Sequence, residues 1–550
     1  MGSEVLDVVV VGGGITGAGV ALDAVSRGLS VGLVEARDWA SGSSSRSSKL
    51  IHGGLRYLEQ FHFRLVREAL RERTLLLGRL APHLVRPLPF LYPLRHRVWE
   101  RPRAQLGLGL YDLMATAAVR DRSGALPRHR YLGHREVFEA APALGDGRVV
   151  GAMRYYDAEV DDARYTLDVV RTAASIGAKV ASRTTVVGFL RHGGAVFGVV
   201  VRDEQSGAEI EVRARRVICA GGVWTDDLQA AAGVDGGPQI RMSKGVHLVF
   251  PKERLALSSG LIARTETSVL LVVPWGRHWI VGTTDTDWSF GPGDPAVSGK
   301  DIAYLIDHLN AELSSDVSPD DVVAAYAGLR PLLHGTAASP SELSREHAVR
   351  QPLPGLTVVA GGKFTTYRVM AADAVDLALS GEGAPRSRTK EIPLVGAIGF
   401  SETWARRAEL ASRAQRDPEI VEHLLSRYGT FAGELLELIA DDPGMGETVP
   451  GAGDYLLAEV RYAASDEGAL HLDDILERRT RIAIEYRDRG TAAADACAVG
   501  MGSVLGWSPT QRDEEVARYR RLVTAELAAQ TKSDDEAANA ELSAGMIGHG

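Results

Sequence analysis

Residues 41–60 read SGSSSRSSKLIHGGLRYLEQ. Five of the six positions from Ser43 to Ser48 are serine, and the sixth is Arg46. Lys49, His52, Gly53, Gly54, Arg56 and Tyr57 follow at once. Serine hydroxyls and loop N–H groups can donate to a long anionic ligand without adding bulk. A Gly-Gly pair lets the backbone approach a flat ring where a side chain would collide. The plainer reading is a solvated serine-rich loop, but such loops seldom continue into HGGLRY.

The elements around this stretch support the ligand reading. Val8–Val11 form a continuous β-branched run, as expected of a strand buried on both faces. Gly12, Gly14 and Gly17 follow at the G-x-G-x-x-G spacing, and a helix begins there with Ile15 and Thr16. Ala18, Gly19 and Ala21 allow that helix to pack closely on the sheet, and Gly28 ends it. A second strand, 30–34, leads to Glu35 and Ala36. In this pattern Gly12 permits the tight turn, Gly14 admits a pyrophosphate, and Gly17 allows close helix–strand contact. The helix N-terminus attracts the anion, and the acid at the end of the second strand accepts from a ribose hydroxyl. Glu35 would repel a 2′-phosphate, which disfavours NADP. The fingerprint alone does not separate FAD from NAD. The serine-rich stretch favours FAD, whose pyrophosphate and ribityl chain need donors beyond the first turn. The expected cofactor contacts in this part are Gly12, Gly14, Ile15, Thr16, Gly17, Glu35, Ala36, Ser44, Ser45, Ser47, Ser48, Lys49, Leu50, His52, Gly53 and Gly54.

GGGITGAGVALDAVSRGLSVGLVEARD together with SSRSSKLIHGGLRYLE resembles the FAD-dependent, aerobic-type glycerol-3-phosphate dehydrogenase family. Collinear segments extend the resemblance to about residue 520: YYDAEVDDARYTLDVVRTAASIGA, AGGVWTDDL, KGVHLVF, LVVPWGRHWIVGTTDTD, AGLRPLL, SREHAV, GGKFTTYRVMA and LDDILERRTRIAI. It implies oxidation of sn-glycerol 3-phosphate to dihydroxyacetone phosphate, with hydride passing from C2 to flavin N5 and electrons to a membrane quinone. A phosphate dianion calls for cations, preferably arginine. The candidates are Arg56, Arg330, Arg345 and Lys363, with Tyr57 as a hydrogen-bonding partner. For each, a surface or salt-bridged cation is the plainer reading. That reading is weakest for Arg330, which lies between a glycine-leucine pair and a proline in an apolar stretch. A base near neutral pH suits histidine. His52 and His247 both lie in matching segments, and the sequence does not choose between them; Arg330 completes the catalytic candidates. The resemblance also implies cofactor contacts from Val187, from Ala220, Gly221 and Trp224 in AGGVW, and from Gly362, Lys363, Phe364 and Thr365. The family more often has leucine at position 364 and AxGPW at 220–224; neither change removes a donor.

Composition bounds the rest. At 45% apolar and 24% charged residues, core burial is assured. A net charge of −9 argues against a nucleic-acid protein. Two distant cysteines, Cys219 and Cys497, exclude a disulfide framework and point to a reducing, cytoplasmic setting; no metal-ligand spacing occurs. No signal peptide is expected, because VVVVGGG reads as a strand running into a turn, and no apolar run approaches the roughly 18 residues of a membrane span. The expected fold is α/β: a discontinuous Rossmann-like FAD-binding domain (1–90, 150–240, 350–390) and an antiparallel-sheet substrate domain (91–149, 241–349). A C-terminal all-α cap (391–530) and a disordered tail (531–550) complete it. Ser508, Pro509 and Gln511 spell a helix start. Residues 64–103 are both basic and apolar. Within them LPFLYPLRHRVW is the expected point of peripheral attachment to the inner membrane face. A homodimer through the cap is compatible with its lack of chemistry. Other readings are an oxidase that passes electrons to oxygen and releases peroxide, an amino-acid-oxidising relative, and a flavin-binding scaffold without turnover.

Overall fold

The computed structural model describes residues 1–2, 4–59, 61–96, 99–117, 125–144, 149–264, 269–334, 346–381, 383 and 385–547. Two large sheets carry the site. In the first, the strand order is His347–Leu353, Leu356–Gly361, Glu209–Cys219, Leu6–Val11, Val31–Val34 and Lys179–Ala181. All neighbours run parallel except the first pair. Alternation along Leu6–Val11 divides its side chains between two cores. Val8 and Val10 face the helices Ile15–Ser26, Asp162–Ser175 and Tyr367–Ala378. Val9 and Val11 face an antiparallel ribbon, Thr184–His192 with Ala195–Asp203, that extends Glu209–Cys219. A strand covered on both faces must be apolar throughout, which is why this run shows no alternation.

The second, ten-stranded sheet is mostly antiparallel. One of its longest strand pairs joins Ile240–Pro251 antiparallel to Ala324–Leu333, in a register that sets His247 opposite Tyr326 and Ser243 opposite Arg330. Val85–Leu94 and Gly151–Val160 also lie in it, with Leu50–Ile51 at its edge. The strand 151–160 therefore belongs to this sheet, although the sequence pattern grouped it with the nucleotide-binding segments. Val85–Leu94 is likewise a strand with Leu88, Phe90, Leu91 and Leu94 buried. The apolar half of LPFLYPLRHRVW is thus core, not surface.

The C-terminal part is helical. The periodic segment 419–442 is two helices, Pro418–Tyr428 and Ala432–Asp441, interrupted at Gly429, whose φ is +58°. Ser508 caps Pro509–Gln530: its hydroxyl accepts from Gln511 N–H, and the Gln511 side chain accepts from Ser508 N–H at 2.8 Å. The tail expected to be disordered forms a helix, Asp535–Ile547. Ala538 and Leu542 pack it against Ala525, Ala529 and Ala296, and Asp535 pairs with the buried Lys244. A small apolar stripe and one buried ion pair order a segment whose composition reads as solvated.

This part docks through arginines. Arg479 clasps Asp38 with two nitrogens at 2.6 and 2.8 Å, and Arg478 adds a third bond at 2.6 Å. Arg481 reaches Asp161 and Asp162, both at 2.5 Å. The familiar LDDILERRTRIAI is therefore the seam by which the helical part grips the nucleotide-binding part.

Candidate active site

A cavity of about 950 Å³ is lined by residues of both large sheets. This is at the upper end of the roughly 300–1,000 Å³ usual for ligand pockets. One end is made largely of backbone. Gly12 turns with φ +108°, and a side chain there would come within 2.6 Å of the Ala220 carbonyl. Gly14 caps the helix Ile15–Ser26, and the Ile15 N–H donates to Ser44 Oγ at 2.9 Å. Gly17 lies behind the wall: a Cβ would sit 1.8 Å from the Gly12 carbonyl, so its part is the close helix–strand contact. Glu35 accepts from the N–H groups of Gly13 at 2.6 Å and Arg37 at 2.8 Å, and burial pushes its carboxyl upward. Ile15, Thr16, Ala36, Ala220, Gly221 and Trp224 line this end too.

The opening stretch crosses the cavity. Ser43–Ser45 form a 3₁₀ turn, and Leu50–Ile51 pair with Gly151–Val160. Ser44, Ser47, Ser48, Leu50, His52 and Gly54 line the cavity; Ser45, Lys49 and Gly53 do not. Lys49 turns away with φ +57° and donates to Asp162 at 2.7 Å and to the Ser45 carbonyl at 2.6 Å. Burial lowers its ammonium to about 8. Ser47 binds the other Asp162 oxygen through its N–H at 2.9 Å and its hydroxyl at 2.6 Å. Gly53 lies against a buried post: its N–H donates to Asp157 at 3.0 Å, and a Cβ would collide with Tyr111. Arg73 and Tyr111 both bind the same Asp157 oxygen. Ser45, Lys49 and Gly53 thus shape the loop instead of facing the ligand space.

Val187 is also absent from the wall. The ribbon 184–203 has an irregularity between Val186 and Gly188, which turns Val187 outward and leaves Val186 on the cavity. Gly362, Lys363, Phe364 and Thr365 do line it, where the strand Leu356–Gly361 turns at two positive-φ glycines into the helix Tyr367–Ala378.

The other end is built from side chains. His247 is 2% exposed and shares a 2.8 Å hydrogen bond with Ser48 through Nε2. Its ring stacks on Tyr326 with centroids 4.9 Å apart, and Tyr326 donates to the Ser47 carbonyl at 2.9 Å. Burial first, then the cations Arg330 and Lys49, hold the imidazole well below its usual range, so it is neutral at neutral pH. Its Nδ1 has no hydrogen-bond partner among the described residues. Arg330 donates to Thr283 Oγ1 at 2.8 Å, the Thr284 carbonyl at 3.1 Å and Asp285 at 3.3 Å. Gly245 makes room for that guanidinium, which lies 2.3 Å from where a Cβ would stand. The Lys363 ammonium lies 3.5 Å from the centre of the Tyr57 ring. His52 lines the cavity between the two ends, and its carbonyl accepts from Thr365 at 3.4 Å. Arg56 lies on the short helix Leu55–Glu59 beside it. Arg345 falls outside the described residues.

Sequence reasoning missed the supporting shell: Asp285, Thr283 and Ser243 around Arg330, Tyr326 under His247, and Asp157 and Asp162 beneath the serine loop. The signal was present in TTDTD and in YYDAEVDDARY. Acids in loops and at strand ends, though, do not reveal their partners until the chain is folded.

Comparison with known proteins bears on this geometry. Residues 7–376 match the model for FAD dependent oxidoreductases, and residues 387–512 match that for the C-terminal domain of alpha-glycerophosphate oxidase. A glycerol-3-phosphate dehydrogenase of Mycobacterium leprae is 49% identical over 541 residues, 98% of this chain and 91% of that protein. The chain belongs to the FAD-dependent glycerol-3-phosphate dehydrogenase family. The human mitochondrial glycerol-3-phosphate dehydrogenase is 35% identical, over 98% of this chain and 76% of that one. The FAD complex of the Bacillus halodurans glycerol-3-phosphate dehydrogenase superposes with a TM-score of 0.78 at 26% identity, covering 95% of each chain.

The cofactor is FAD, and the wall fits it. The Gly12–Gly14 turn brings bare backbone to the cavity, with Gly12 held so close to the Ala220 carbonyl that a Cβ would collide, the helix N-terminus faces an anion position, and serine hydroxyls continue along the cavity. Among the described residues no group of three or more His, Cys, Asp or Glu is placed to hold a metal ion.

Proposed function

We propose that this chain oxidises sn-glycerol 3-phosphate to dihydroxyacetone phosphate and passes the electrons to a membrane quinone. The observation that carries the reading is the shared cavity. A backbone cradle for a dinucleotide and a wall bearing a neutral, buried histidine, an arginine and a lysine open into one space. Arg330 and Lys363 supply the positive charge for the phosphate, with Tyr57 beside Lys363; Arg56 and Arg345 are further candidates. Asp285 and Thr283 hold the Arg330 guanidinium in place on the cavity wall. Oxidation removes a hydride from C2 and a proton from its hydroxyl; bound FAD supplies the hydride acceptor. His247 is favoured over His52 as the proton acceptor, because it lines the cavity and its burial holds the imidazole neutral.

The quinone reading rests on an exposed apolar face. The helix Glu100–Ala117 exposes Leu106 (78%), Leu110 and Leu113 (65%), at the spacing of one helical stripe. Phe61 (77%) and Phe63 lie beyond the short helix Leu55–Glu59, which packs on it. Arg101 and Arg103 add charge of the sign that anionic lipid attracts. Membrane attachment is proposed through this face and not through LPFLYPL. Among the described residues no helix is long and apolar enough to cross a membrane. Cosedimentation with anionic vesicles, lost in Leu106→Glu with Leu113→Glu, tests the attachment.

The activity is tested by anaerobic absorbance of the holoenzyme. sn-Glycerol 3-phosphate should bleach the oxidised-flavin bands, and a quinone analogue should restore them faster than air. Faster recovery in air would make the protein an oxidase, and no bleaching would remove the substrate.

A further inference from the structure

We propose that Asp294 is a positioning residue for FAD: it clasps three segments of the cavity wall together and so sets how long the cofactor stays bound. The role concerns the cofactor alone and does not depend on the substrate or on the electron acceptor.

Asp294 lies in the connection 289–298, between the strand Thr286–Trp288 and the helix Gly299–Glu312. It does not line the large cavity itself, but its neighbour Gly293 does. Its two oxygens go to two other segments of that wall. Oδ2 accepts from Arg37 at 2.8 Å, two residues beyond Glu35. Oδ1 accepts from Arg46 at 2.7 Å, within the serine-rich loop. Both arginines line the cavity. Arg37 also lies over Trp224, 4.9 Å from the ring centre, and Trp224 lines the same end. Burial works against the Asp294 charge, but Arg46 and Arg37 outweigh it and hold the carboxyl below its usual range.

The connection is anchored on both sides of Asp294. On one side Trp288 is buried with Val223 and Leu329 and donates to the Gly291 carbonyl at 2.9 Å. On the other, the Ala296 carbonyl accepts from the buried Lys244 at 3.3 Å, and the Ser298 hydroxyl binds Asp301 and Asp535, each at 2.8 Å. A segment already fixed at both ends loses little further freedom when its middle closes an ion pair. Behind Asp294 and Arg46 is a second, small cavity of about 60 Å³, where Glu477, Glu526 and Arg489 also meet. Glu477 lies 3.8 Å from the Arg46 guanidinium. Without Asp294, Arg46 keeps only that longer ion pair among the described residues, and segments 35–37 and 43–48 lose a group that binds both.

The test is the rate at which the holoenzyme exchanges its cofactor. Protein is mixed with excess ¹³C-labelled FAD and desalted at intervals, and the flavin it carries is weighed by mass spectrometry. Asp294→Ala should exchange about tenfold faster than the wild type, as expected for two partly exposed charged hydrogen bonds lost together. Asp294→Asn, which keeps the shape but not the charge, should follow Asp294→Ala. Asp294→Glu, which keeps the carboxylate, should recover most of the difference. In the Arg37→Met, Arg46→Met protein, adding Asp294→Ala should change the rate by less than about twofold, because the partners of the carboxylate are gone. Unchanged exchange in Asp294→Ala, even with a lowered Tm, would mean that the clasp serves folding alone and overturns the proposal. So would slower exchange, in which case the carboxylate only offsets the attraction of the wall for an anion. A full tenfold effect in the double arginine variant would overturn it as well. If Asp294→Ala does not fold, Asp294→Asn decides by the same criteria.

Discussion

The two ends of the cavity are built on opposite principles. At the nucleotide end the decisive feature is missing bulk: Gly12 and Gly17 leave no space for a Cβ against backbone 2.6 and 1.8 Å away. At the reactive end it is charge held in place. Arg330 has four polar neighbours, three of them from residues 283–285, and His247 is pinned from residue 48, some 199 positions away. The heart of the first end is contiguous in the chain, one strand, one turn and one helix, and Glu35 and Ala220 join it from the ends of the two neighbouring strands. The second is assembled from segments far apart in the chain: the antiparallel pair Ile240–Pro251 and Ala324–Leu333 carries His247 and Arg330, residues 283–285 flank the arginine, and Ser48 comes from the serine-rich loop. A backbone site fails all at once when a side chain is added. A side-chain site should fail by degrees.

The largest effect tests that contrast at its sharpest. Gly14 has only Ser44 Oγ near a would-be Cβ, at 3.1 Å. Gly14→Val should therefore fold and purify colourless, with flavin content near zero by absorbance. A yellow, active variant would break the account of the cradle. Next, Arg330→Ala should keep its flavin and raise KM roughly a hundredfold, the equivalent of about 3 kcal/mol lost with a charged hydrogen-bonding partner. Loss of flavin instead would mean that the two ends are not separable.

A smaller effect concerns pH. His247 is depressed by burial first and then by Arg330 and Lys49. It stays neutral as pH falls past the usual histidine value of about 6.5, so the acid limb of kcat/KM should lie below that value. Removing the Arg330 charge should move the limb upward. Folding follows the same sign: the unfolded chain binds the extra proton first, so stability should decline as pH drops below about 6.5. A limb above pH 7 in the wild type would contradict this.

The smallest expected effect lies far from either end. Asp535→Asn weakens one of two carboxylate partners of Lys244, whose other partner, Asp301, remains at 2.6 Å. Because Asp535 is partly exposed, the loss should be only about 1 kcal/mol, read as a modest fall in Tm.

Legibility in the sequence follows the same division. The turn at 12–17, the acid at Glu35 and the Ser508 cap were readable because each is a local rule with its partners within a few tens of residues. Arg330, Lys363 and His247 were recognisable as candidates mainly through the resemblance, and the burial of His247 against Tyr326 and its bond to Ser48 appear only in the fold. Ser45, Lys49 and Gly53 were expected on the cavity wall because their neighbours are there. Asp162 and Asp157, more than a hundred residues on, draw Lys49 and Gly53 away from it, and the Ser45 carbonyl accepts from Lys49. The helix 535–547 was hidden for a similar reason: its order comes from Lys244 and from alanines of another helix, which no local pattern announces.

The most direct measurement compares two alcohols that differ only in the phosphate. The holoenzyme is titrated anaerobically with sn-glycerol 3-phosphate and, separately, with glycerol, and the flavin absorbance is followed. If the cationic wall recognises a phosphate and presents C2 to the cofactor, the phosphate ester should bleach the flavin at concentrations where glycerol leaves it oxidised. Bleaching by both alcohols at the same concentration would contradict the account.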